Sequence, residues 1–183
     1  VKNNEIILSK IDLFLPLKSF VTSDFLLQKA EIAFFKNDIK DLTKITNAFV
    51  PKIINKQIKK IFSKGEIEGE FVIPFNPDGS VGENYEINAK VLNADININS
   101  DFKINNLSTD IKYIFKSTND KEINFFINQG KVLNLNIEKS SIDINFINGK
   151  KIIKSKIKTS GISKHSQIKT ISSLLGIDLS YIK

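Results

Sequence analysis

The chain contains no cysteine, no methionine and no tryptophan, and because its 27 basic residues are all lysine it contains no arginine either. Without a thiol there is no disulfide, no thiolate metal site and no cysteine nucleophile. The single histidine, His165, cannot build a histidine zinc site alone and has no Ser-His-Asp signature around it. Set in Ser163-Lys164-His165-Ser166, it reads as an exposed loop residue. No GxGxxG, P-loop or HExxH pattern occurs, so nothing calls for a nucleotide, metal or other cofactor. No apolar run approaches the roughly 18–20 residues of a membrane-spanning helix, and no signal peptide is visible. The missing arginine also argues against nucleic acid, which is read largely through bidentate guanidinium contacts.

What is present is a narrow alphabet. Isoleucine, lysine and asparagine fill 79 of 183 positions, the skew expected of AT-rich codon usage. The net charge of +7 and the isoelectric point near 9.4 are therefore partly compositional. A start at Val1, with no methionine anywhere, leads to the expectation of a segment of a longer protein. The 41% hydrophobic share suffices to build a core or to line a cavity.

Two-residue alternation dominates, the period of a strand with one wet face. It runs through Ile7 to Leu15, from Phe25 to Phe35, and then through Tyr85–Val91, Ile96–Ile98, Leu107–Phe115, Leu133–Glu138, Ile142–Phe146 and Ile153–Lys158. Asn148-Gly149 is the strongest hairpin signal, because both residues accept positive φ cheaply. Asn76-Pro77-Asp78-Gly79, Asn99-Ser100-Asp101, Asn119-Asp120, Gln129-Gly130 and Ser140-Ser141 also read as turns. Connections this short force antiparallel neighbours, so residues 85–159 should form a meander of about six strands.

Helices are expected to be few. Asp38 can cap one ending near Asn47. Pro51 suits the first turn of a second, with Ile54, Ile58 and Ile61 at helical spacing and Gly65 as its stop. A third spans about Ser166 to Leu175. The organisation expected is a single β-rich segment: opening strands over 1–36, a helical insertion over 37–65, the meander over 66–160, and a helix with the start of another strand over 161–183. The stretch from Leu42 to Gly65 has no acidic residue. Its Lys52, Lys56, Lys59 and Lys60 make an anionic membrane surface a candidate contact, with a solvated helix face as the plainer alternative. Glu66, Glu68 and Glu70 share one parity, which raises paired carboxylates. Their period-2 spacing is also that of any wetted strand face, and no enzyme is indicated.

An apolar sheet face must be hidden by a second sheet, by helices or by non-protein material. About three short helices cannot cover nine or ten strands. That leaves a sandwich with a protein-filled core, a closed barrel, or a curled open sheet whose concave side is aliphatic.

The stretch Ile-Leu-Ser-Lys-Ile-Asp-Leu-Phe-Leu-Pro-Leu over residues 7–17 resembles the opening strand of AsmA-like proteins of the YhdP type. So do Gly65–Ile73 with Asp78-Gly79, Tyr85–Val91 with Asn93-Ala94, and Ile104-Asn105-Asn106-Leu107-Ser108. The resemblance implies a periplasmic part of an inner-membrane-anchored envelope protein of Gram-negative bacteria. In such proteins a repeating β-groove is thought to shield phospholipid acyl chains between inner and outer membranes. With it, the expected fold becomes mainly β, an antiparallel meander forming a curled open β-groove with two or three short amphipathic helices. Candidate lining residues are Ile87, Val91, Leu133, Leu135, Ile137, Ile142, Ile144, Phe146, Ile153 and Ile157. The expected partners are acyl chains and flanking segments of the same chain. The alternative is a structural β-sandwich module of the envelope without lipid.

Overall fold

The computed structural model describes residues 7–16, 26–41, 61–98, 102–162, 164 and 169. Nine strands follow in chain order: β1 Leu8–Phe14, β2 Lys29–Asp38, β3 Phe62–Pro74, β4 Tyr85–Asn97, β5 Lys103–Phe115, β6 Lys121–Val132, β7 Leu135–Ile147, β8 Lys150–Lys156 and β9 Thr159–Gly161. They form one antiparallel sheet in sequence order, with β8 and β9 sharing the outer edge of β7. Strands and bridges take up 73% of the described residues.

The short connections explain this order. Asn148 and Gly149 turn β7 into β8 with φ of 50° and 75°, the positive values that a tight hairpin demands. Asp78 accepts from Ser80 N at 2.9 Å and from the Ser80 hydroxyl, ordering the turn between β3 and β4. Leu133 and Asn134 alone separate β6 from β7. None of these links is long enough for a crossover, so each strand pairs with its predecessor.

Alternation then sorts the side chains. Ile32 pairs with Phe71, Phe71 with Ile87, Ile87 with Tyr113, Tyr113 with Ile123, Ile123 with Ile144 and Ile144 with Ile153. The opposite face carries the intervening residues, where Lys112 meets Glu86 at 3.0 Å and Lys29 meets Glu31 at 2.6 Å.

A crease of β-bulges crosses the sheet. Register shifts fall between Phe34 and Asn37 in β2, Lys64 and Glu66 in β3, Val91 and Ala94 in β4, and Asn105 and Ser108 in β5. On β7 the register also changes between its β9 and β8 ladders. Gly65, Asn93, Asn106 and Lys139 take positive φ along this line. A bulge leaves backbone groups without ladder partners, and short polar side chains satisfy them. Asn37 Oδ1 accepts from Ile7 N at 2.8 Å, Asp95 Oδ1 from Asn106 N at 2.9 Å, and Ser140 Oγ from Lys158 N at 2.8 Å. The buried polar residues among those described, Asn37, Ser108, Thr109 and Ser140, all lie at the crease.

The core follows the same line. Ile39, Val91, Ala94, Phe102, Leu107, Ile127, Val132 and Ile137 form one buried cluster at and beyond the crease. Bulges increase twist and bend the strands that carry them, which draws these side chains together.

Three expectations are corrected. Helix among the described residues is limited to residues 39–41, 61 and 169, so the two or three short helices are not borne out there. Asp38 does cap residues 39–41, accepting from Lys40 N at 2.7 Å, but most of the three expected helical spans lies outside the described residues. Gly65 is no helix stop; it sits inside β3, which begins at Phe62. Second, the sheet is open and uncurled. Each described strand touches only its ladder neighbours, whereas a curl would bring concave side chains of more distant strands together. Third, Gln129-Gly130 and Ser140-Ser141 do not turn the chain. They lie within β6 and β7, which the chain's punctuation had divided into shorter strands.

Candidate functional site

The face carrying the Ile32–Ile153 row is the candidate site. From the turn end toward the crease its rows read Tyr85-Phe115-Lys121-Phe146-Lys151, then Ile87-Tyr113-Ile123-Ile144-Ile153, then Ala89-Ile111-Phe125-Ile142-Ser155. Below the crease its isoleucines and phenylalanines on β4 to β7 are half-buried, covered by row neighbours but by no second described sheet. Toward the edges exposure rises, with Ile153 at 55% and Ile11 at 51%.

Nine of the ten lining candidates stand on this face. Ile87, Ile142, Ile144, Phe146 and Ile153 occupy its open rows, while Val91 and Ile137 are buried at the crease, and Leu135 and Ile157 pack against the same cluster. Leu133 differs in kind. It lies in the β6–β7 turn with φ 53°, although its side chain also packs on the core cluster. The basic candidates Lys52, Lys56, Lys59 and Lys60 fall outside the described residues, as does His165.

Sequence reasoning missed Phe71, Ile111, Ile123 and Phe125, which share the parity of residues it named. It also missed the turn-end rim. Tyr85 stacks on Phe115 with centroids 4.7 Å apart, and lies 6.0 Å from Tyr113. Lys121 Nζ sits 4.9 Å from the centroid of the Phe146 ring. Burial, with the neighbouring Tyr85 hydroxyl, pushes the Tyr113 phenol up to about 12. The available signal was a lysine in apolar parity, Lys121 with Ile123, Phe125 and Ile127.

The other face also has a hollow. A shallow trough of ≈ 570 Å³ crosses it, lined by Glu68, Glu70, Asn88, Lys90, Asp110, Lys112 and Asp143 among others. The expected concavity on the aliphatic side alone is thus corrected, since a twisted sheet is saddle-shaped and hollows both faces along different diagonals. The trough's groups bond to one another: Asn128 Nδ2 donates to Asp110 at 2.8 Å, and Asn88 Nδ2 to Glu86 at 2.9 Å. Glu66, Glu68 and Glu70 belong to this polar side. Among the described residues no group of three histidine or carboxylate side chains could hold a metal ion, and no helix is long and apolar enough to cross a membrane.

No protein-family model matches the chain, and neither does any curated protein or solved structure.

Proposed function

We propose that this chain is a segment of a periplasmic envelope protein resembling the AsmA-like family, and that its apolar face shields phospholipid acyl chains passing between inner and outer membranes. One observation carries the reading: aliphatic and aromatic rows continue across eight strands, and no second described sheet stands against them. Exposed apolar area on this scale marks an interaction surface. Each methylene kept from water is worth about 0.8 kcal/mol, so an unbroken aliphatic strip lets a chain slide without entering solvent. Branched isoleucine makes no hydrogen-bond demand, which suits a surface serving many acyl chains. The mechanism is passive and needs no catalytic group.

Native mass spectrometry after mild purification tests occupancy, with co-purifying phospholipid expected. Movement of a labelled phospholipid between vesicles tests transport. Ile144→Glu should abolish that movement while leaving the β circular dichroism signal intact. Retained transfer in this variant would sink the proposal. A bare chain mass in repeated preparations would favour the envelope scaffold without lipid.

A further inference from the structure

The apolar face is not uniform, and its one charged row is at its end. Between the turns and the crease, the only charged residues in the paired positions of this face are Lys121 and Lys151, which flank Phe146 on either side. No acidic residue shares those rows. Neither lysine has an ion pair among the described residues. Lys121 Nζ lies over the Phe146 ring and 3.5 Å from the Thr118 carbonyl oxygen. A hollow of ≈ 370 Å³ opens beside them, bounded by Lys121, Phe146 and the Asn148 turn. Its remaining charges are already engaged. Lys116 bonds Glu122 at 2.6 Å and Asp120 accepts from Asn148 N at 2.9 Å.

Resting on the acyl-shielding reading, we propose that Lys121 and Lys151 form a head-group site for an anionic amphiphile whose tail lies up the Ile123 and Ile144 rows. Length fits. From Lys121 to Ile127 at the crease is six residues, about 20 Å at ~3.4 Å per residue. One leaflet's acyl chains span about 15 Å, half of a ~30 Å bilayer core. Beyond the rows the buried cluster of Val91, Ile127 and Ile137 closes the strip, so the tail points to the crease and the charge to the turns. Two unpaired ammonium groups beside an apolar strip favour phosphate or carboxylate and disfavour a cationic head. An anionic membrane surface fits less well, because Asp78, Glu83, Asp120 and Glu122 balance Lys116, Lys121, Lys150 and Lys151 over this end of the molecule.

Binding to the full chain is measured by calorimetry with lysophosphatidylglycerol below its micellar concentration, its phosphatidylcholine counterpart, and glycerol 3-phosphate. The anionic lipid should bind tightest and the tail-less phosphate weakly. Lys121→Glu with Lys151→Glu should weaken the anionic lipid at least about tenfold and leave the phosphatidylcholine counterpart within twofold of wild type. Lys121→Arg with Lys151→Arg should retain binding. Equal binding of both lipids, unchanged in the Glu variant, would overturn the head-group site while leaving acyl shielding standing. No binding of either lipid would remove both. Glycerol 3-phosphate binding as tightly as the lipid would replace the amphiphile by a free phosphate. If the Glu variant loses only its sedimentation with anionic vesicles, the rim is a membrane contact and the proposal fails.

Discussion

Ser140 holds Lys158 at the outer edge of the sheet: its hydroxyl oxygen accepts from Lys158 N at 2.8 Å while the hydroxyl lies 3.1 Å from the Glu138 carbonyl it donates to. Ser140 is fully buried, and Glu138 N donates to Lys158 O at 3.1 Å beside it. The hydroxyl thus fills the gap where β8 stops and β9 begins. Ser140→Ala leaves a buried amide without its acceptor, and should destabilise the fold by about 1–3 kcal/mol. A lowered urea midpoint with an unchanged slope, together with faster amide exchange over residues 158–161, would show it.

Gly65 marks the crease in β3. At its φ of 143° an added Cβ would sit 2.7 Å from Ala94 Cβ and 2.9 Å from Ile39 Cδ1. Gly65→Ala should therefore lower stability by about 1–3 kcal/mol from overpacking, with backbone strain in addition. Adding Ala94→Gly removes one clash and leaves the strain and the Ile39 contact. The double variant should recover only part of the loss, read as a positive coupling in a double-mutant cycle. Full recovery would show that strain at Gly65 is negligible.

Gly69 is more constrained still. An added Cβ there would strike the Asn88 carbonyl oxygen and come within 2.9 Å of Ala89 Cα, both backbone atoms. Gly69→Ala should force β3 from β4 and raise amide exchange over residues 66–72 and 86–92. Exchange unchanged from wild type would contradict that close approach.

Tyr113 is expected to ionise near 12, against an ordinary phenol near 10, because burial disfavours the phenolate and Tyr85 lies beside it. A folded value above the unfolded one gives stability that is whole below about pH 10. It is lost as pH rises through the folded value near 12. Ultraviolet titration should show one of the three tyrosines lagging behind. Tyr85→Phe should bring it only part of the way down, since burial is the larger cause.

Charge placed on the apolar face should have opposite consequences on the two sides of the rows. Ile127 is buried in the crease cluster and Ile144 is half-buried on the open rows. Ile127→Asp puts an unpaired carboxylate into packed protein and should unfold the chain. Ile144→Glu can reach water and should shift the thermal midpoint by only a few degrees. Equal unfolding by both would mean that the open rows are as closely packed as the crease.

Much of this fold was legible because alternation and turn chemistry are local. Tyr85-Glu86-Ile87-Asn88-Ala89-Lys90-Val91 can expose one face only as a strand, and Asn148-Gly149 can turn so tightly only with positive φ. Short links then imposed sequential antiparallel pairing. The lining parity was equally plain, which is why nine of ten named residues share a face. Lys121 was harder to see, because one lysine in apolar parity gains meaning only beside Phe146 and Lys151 from other strands.

What sequence alone determined is the strand period, the wet and dry sides, and the tight turns, all set by sterics and solvation within a few residues. Only tertiary structure decided what Asn93, Gln129-Gly130 and Ser140-Ser141 do. The same small or polar residues that reverse a chain can bend a paired strand, and the outcome depends on whether a neighbour continues the ladder past them. Here neighbours do, so the breaks align as a crease with its own buried polar caps. Whether the sheet curls was likewise non-local, since it depends on contacts between strands far apart in the chain, and the described strands make none.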